Sequence, residues 1–189
     1  TLGMHNSRVS YEAPINSSNI GPCISVPQQG PFNPLESLRG LAKCIQNSGG
    51  KIFLNTPALL IEGGKSPYVR TPEHFEIKPQ SIVVATNSPV NDLFATHSSQ
   101  AAYRTYVISA SIPRGLMEDA LYWDTGDPYH YIRIDRDRSN PQYDLLTIGG
   151  NDHKTGQEED TEAQFKSLET WIRQRFPVKE IRYKWSGQV

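Results

Sequence analysis

Cysteine is scarce in this chain: only Cys23 and Cys44 occur among 189 residues. Two sulfurs exclude a disulfide framework and leave two thiols or, at most, one bridge. No apolar run approaches the ~20 residues of a spanning helix, so no membrane span is expected. The formal net charge is −1, which offers no attraction for nucleic acid or an anionic membrane. Five histidines (His5, His74, His97, His130 and His153) are scattered without CxxC, HxH or HExxH, and this excludes the usual metal-ligand spacings. GxSxG, GxxxxGK[ST] and GxGxxG are also absent. With them go the nucleophile elbow and the glycine-rich phosphate loops. The opening TLGMHNSRVSYEAP lacks a basic segment followed by an apolar one, so no secretory leader is expected there. Both ends look cut rather than finished. Few sulfurs and no leader predict a cytoplasmic protein.

What is present suffices for a core. Apolar residues make up 37%, with nine Tyr, six Phe and three Trp, enough for one large domain or parts of two at ~100–200 residues each. Residues 1–30 are rich in Ser, Asn, Pro and Gly, with short strand-like fragments at Val9–Tyr11 and Cys23–Val26. A helix is then well punctuated. Asn33 suits the N-cap, Pro34 the first turn, and Leu35, Leu38, Leu41, Ala42 and Ile45 form one apolar face ending at Gly49-Gly50. Lys51–Leu54 reads as a strand. Ala58–Glu62, Tyr68–Thr71 and His74–Ile77 read as a meander. Ser81–Pro89, SIVVATNSP, reads as a strand buried on both faces, at whose carboxyl end an α/β sheet would bind a ligand.

Beyond Pro89 the pattern turns antiparallel. Strands are predicted at Ala102–Ile112, Leu121–Asp124, Tyr129–Asp135, Leu145–Ile148 and Ile181–Trp185. A helix is predicted from Asp160 or Thr161 to Arg175, with Thr161 and Gln164 as a capping box. Alternation sets Thr105, Val107 and Ser109 against Tyr106, Ile108 and Ala110. Asp152-His153 reads as part of a solvated loop. In YHYIR, residues 129–133, Tyr129, Tyr131 and Arg133 share a face. A guanidinium beside phenols can receive a carboxylate through its planar fork, although such a stripe also decorates solvated sheet faces.

The order of these pieces resembles the FAD-dependent oxidoreductases of the D-amino acid oxidase, glycine oxidase and sarcosine oxidase superfamily. FNPLESLRGLAKCIQNSGGKIFLNTPALLIE followed by SIVVATNSP is similar to the centre of those enzymes. YHYIR, LLTIGGNDH and YKWSGQV are similar to three later segments, and the last two look like the branch sometimes fused to a Rieske iron–sulfur domain. The resemblance implies that Ala58, Ala85, Thr86 and Asn87 pass close to FAD, with Asn87 where relatives often have Gly. It implies that Trp185 and Gly187 lie near the flavin ring. Arg133 would clamp the substrate with Tyr131 beside it, and Ile132 stands where the family has Pro.

The fold class expected is α+β: an antiparallel or mixed substrate-domain sheet with helices on one face, plus part of an FAD-binding α/β domain (helix, strand, β-meander, strand). Residues 1–30 would supply substrate-domain strands, 31–90 the partial FAD-binding domain, and 91–189 the substrate-binding sheet with one covering helix. The function implied is oxidation of a small amine or amino acid by hydride transfer to FAD. A Rieske domain C-terminal to this region would be a further partner. The missing GxGxxG marks the chain as an internal fragment that is inactive and holds FAD poorly by itself. The alternative is a non-catalytic α+β module that binds a small molecule or a partner.

Overall fold

The computed structural model describes residues 6–15, 21–86, 90, 101–156 and 160–189. The chain divides into two compact units, residues 32–101 and the remainder. Its class is α+β, with two helices and antiparallel sheets among the described residues.

In the larger unit, β1 (Arg8–Ser10) pairs with β2 (Cys23–Ser25). The main sheet uses β6 (Tyr103–Pro113), β7 (Leu121–Trp123), β8 (His130–Arg136), β9 (Tyr143–Lys154) and β10 (Glu180–Gln188). Their spatial order is β10-β6-β9-β8-β7, antiparallel throughout. Helix α2 (Thr161–Arg173) lies against one face, over β6 and β9. Period-2 alternation decides what it covers: Tyr106, Ile108, Ala110 and Ile112 of β6 meet Leu146 and Ile148 of β9 and Leu168 and Ile172 of the helix. The alternation expected along β6 separates two sets of neighbours rather than core from solvent, because Thr105, Val107, Ser109 and Ser111 on its other face are buried as well. Asp160, rather than Thr161, caps α2, its carboxylate accepting from the Ala163 N–H at 2.9 Å.

Strand β9 is much longer than the Leu145–Ile148 expected, because it continues through Gly149-Gly150 instead of ending there. The pair is not a terminator but a place of close approach. A Cβ on Gly149 would overlap the hydroxyl end of the Tyr131 ring, and one on Gly150 would strike the Tyr129 carbonyl. Beyond it, the register slips by one residue between Arg104↔His153 and Tyr106↔Gly150. Asn151, at φ 56°, belongs to this bulge. Asp152 and His153 thus sit on a strand, not in the solvated loop expected.

The smaller unit holds α1 (Pro34–Asn47) and a three-stranded meander of β3 (Leu60–Glu62), β4 (Tyr68–Arg70) and β5 (Glu76–Ile77). Asn33 caps α1, its side-chain oxygen accepting from the N–H groups of Leu35 at 3.0 Å and Glu36 at 3.3 Å. At the other end Gly50 N–H donates to the Ile45 carbonyl and Gly49 N–H to that of Gln46, with Gly49 at φ 83°. That is a Schellman closure, and it explains both glycines.

Two expected strands are absent from this unit. Lys51–Leu54 and Ile82–Val84 have no regular structure, and no described strand pairs with either. A strand exists only through a partner's hydrogen bonds, so the β-branched composition of residues 82–84 is insufficient. Nor is that segment buried, since Val83 is 88% exposed. The apolar face of α1 is likewise open, with Leu35, Leu38, Leu41 and Ile45 all exposed. Among the described residues no helix is long and apolar enough to cross a membrane.

Candidate functional site

One face of the five-stranded sheet is sealed by α2, and the other carries the candidate site. Register places its side chains in rows. Trp185 of β10 lies opposite Val107 of β6, Val107 opposite Gly149 of β9, Gly149 opposite Tyr131 of β8, and Tyr131 opposite Trp123 of β7. Two residues along each strand, the second row reads Tyr183, Ser109, Thr147, Arg133 and Leu121.

The glycine in the first row shapes the site. With no Cβ on Gly149, the Tyr131 ring lies flat across β9. Its hydroxyl then reaches Thr105 of β6, and the two oxygens are 2.9 Å apart. Burial raises the Tyr131 pKa, partly opposed by the Thr105 hydrogen bond. Tyr131 is thus a neutral, fixed wall. Beside it opens a depression of about 330 Å³ whose lining includes Val107, Leu121, Trp123, Tyr131, Arg133 and Trp185. Its volume is at the small end of the ~300–1,000 Å³ of ligand pockets.

Arg133 is the formal charge on this wall, and it is already engaged. Its Nε and one terminal nitrogen donate to the two carboxylate oxygens of Asp135, at 2.9 and 2.8 Å. Residues two apart on a strand share a face, so the pair lies along β8 in the open. Nearby, the Tyr129 hydroxyl donates to Asp152 at 2.6 Å, a geometry supplied by the bulge in β9. That bond, then partial burial, pushes the Tyr129 pKa up to about 12. The other Asp152 oxygen is shielded and has no hydrogen-bond partner among the described residues. On the sealed side, buried His130 places its Nδ1 2.8 Å from Asp124 and stacks on Trp171 of α2 with ring centroids 4.5 Å apart. His130 thereby braces β8 from behind.

The residues expected at a site separate cleanly. Arg133, Tyr131 and Trp185 meet on the open face of the sheet. Gly187 is two residues beyond Trp185 and opposite Thr105, which holds Tyr131. Ala58, Ala85 and Thr86 belong to the smaller unit, where all three are exposed. Asn87 lies outside the described residues. Sequence reasoning missed Gly149, Thr105 and Asp135. Paired glycines inside a strand-like run were a usable signal of close approach, whereas the Tyr131–Thr105 bond depends on a register no local pattern reports.

FAD can be tested against these residues. A flavin ring is flat and largely apolar, and a face walled by Trp185, Val107 and Tyr131 fits such a ring or a small substrate beside it. Its diphosphate needs glycine-rich backbone at a helix N-terminus, and no GxGxxG occurs in the sequence.

Comparison with known proteins gives the same direction. The model of the family described as FAD dependent oxidoreductase matches residues 7–189. A Bacillus subtilis (strain 168) protein, YhfW, named as a Rieske 2Fe-2S iron-sulfur protein, is 27% identical over 161 residues. That match takes in 85% of this chain and 31% of the relative, so the chain spans less than a third of the relative's length. Matched over nearly its whole length, the chain belongs to the FAD-dependent oxidoreductase family.

Proposed function

We propose that the open face of the five-stranded sheet is the substrate side of a flavin site that oxidises a small amine or amino acid. The observation that carries this reading is the meeting of Arg133, Tyr131 and Trp185 on one recessed, largely apolar surface. Bound FAD would supply a hydride acceptor for a C–H bond next to nitrogen, leaving an imine that water hydrolyses. The chain's own residues bind and orient. Arg133 anchors a polar end of the substrate, and Tyr131, held by Thr105, fixes the position of the remainder. Trp185 and Val107 exclude water from the reacting carbon, and Gly187 leaves room beside Trp185. In residues 31–90, Ala58, Ala85, Thr86 and Asn87 are the proposed cofactor-facing positions.

The whole protein is proposed to contain a Rieske centre as a redox partner, a reading supported by the name of the Bacillus relative. A cytoplasmic setting suits two cysteines that are both unbridged. The test is the full-length protein, which should purify with a flavin spectrum and lose that absorbance when an amine substrate is added without oxygen. A full-length protein that is colourless and takes up no FAD would overturn the reading and leave a binding module.

A further inference from the structure

We infer that Asp135 sets the charge of the ligand this face accepts, selecting an amine over a carboxylate. The inference rests on the reading above, that Arg133 meets the ligand. An arginine receives a carboxylate best through a planar two-nitrogen edge. Here the Nε edge is filled by Asp135, with both carboxylate oxygens bonded at 2.8 and 2.9 Å. A carboxylate ligand at that edge must evict Asp135, and the Asp135 side chain, evicted or not, stays on the same strand face as a like charge. A neutral amine meets neither cost, and a cationic one sets its attraction to Asp135 against repulsion from Arg133. It also gains the faces of Trp185, Trp123 and Tyr131, since aromatic rings attract cations. The pair lies half in solvent, with side-chain exposures of 32% and 45%. It is therefore a competitor that a substitution can remove without unfolding the sheet.

Three probes share one ring and differ in charge: phenethylamine, phenylacetamide and phenylacetate. Their affinities for the full-length protein are to be measured by titration calorimetry at pH 7. The wild type should bind phenethylamine tighter than phenylacetate. Asp135→Asn should tighten phenylacetate by about five- to tenfold, the scale of one exposed ion pair plus the removed repulsion. The same change should weaken phenethylamine and leave phenylacetamide within about twofold. Asp135→Ala repeats the test with no side-chain acceptor at all. If Arg133→Ala weakens phenylacetate while neither Asp135 variant shifts the amine-to-carboxylate ratio, the inference is overturned and Arg133 keeps its role. If Arg133→Ala leaves phenylacetate unchanged, the substrate role of Arg133 fails and the inference falls with it.

Discussion

Gly149 controls the site although it has no side chain to offer. Its α-carbon is the floor beneath the Tyr131 ring, and a methyl group there would overlap the ring. Gly149→Ala should therefore cost about 1–3 kcal/mol, the range for forcing extra atoms into a packed position. Urea denaturation midpoints measure this, and the cost should shrink when Tyr131→Ala is added, because the two share one space. A midpoint unmoved by Gly149→Ala would mean that the ring does not lie there. Tyr129 gives a second prediction at this scale. Its pKa is pushed up to about 12, first by the bond to Asp152. A phenol raised above its unfolded value of ~10 contributes stability fully present below pH ~10. That contribution is lost as the pH climbs through the folded value. Alkaline titration of phenolate absorbance should show Tyr129 among the last to ionise, and Asp152→Asn should bring its transition down. An unchanged titration in that variant would remove Asp152 as the cause.

At the scale of elements, the two helices are opposite cases with similar sequence patterns. Helix α2 buries Leu168 and Ile172 completely against the sheet. Leu168→Ala should cost about 2–5 kcal/mol, since the cavity cannot close over a sheet. In α1, Leu38 is 59% exposed, so Leu38→Ala in this 189-residue chain should stay within about 0.5 kcal/mol. Thermal melts of the two variants side by side decide it, and equal losses would mean that the α1 face is covered. This contrast also shows what the sequence makes legible. Both helices, the Asn33 cap and the closing glycines are local chemistry, and a window of a few residues contains the whole signal. The alternation along β6 was legible for the same reason, although Thr105, Val107 and Ser109 prove as buried as the core side. Lys51–Leu54 and Ile82–Val84 have strand composition without strand structure, because pairing depends on residues distant in sequence and no described strand supplies it. Strand β9 was read too short because the glycines answer to Tyr131, on another strand. Of the site, Arg133 and Tyr131 were visible in YHYIR. The Asp135 bridge and the Thr105 bond were not, because they are properties of folded geometry.

At the scale of the molecule, the two units differ in how much of their apolar surface they bury. The family match runs from residue 7 to 189, yet only part of the expected chemistry is within reach of these residues. The larger unit has a packed core, a sealed face and an open face with a recess. In the smaller unit, Leu35, Leu38, Leu41, Ile45, Phe53 and Val83 remain exposed. A tightly held dinucleotide needs its diphosphate bound as well as its ring, and diphosphate binding rests on backbone N–H groups at a glycine-rich turn. No GxGxxG occurs in the 189 residues, so ring contacts would have to offset most of the cost of ordering a large flexible ligand. The isolated chain should therefore bind FAD at least about a hundredfold more weakly than the full-length protein, a loss of about 2.7 kcal/mol. Flavin fluorescence titration of both proteins under one buffer measures the ratio. An isolated chain that binds as tightly as the full-length protein would move the main cofactor contacts into residues 1–189 and require a different diphosphate receptor within them.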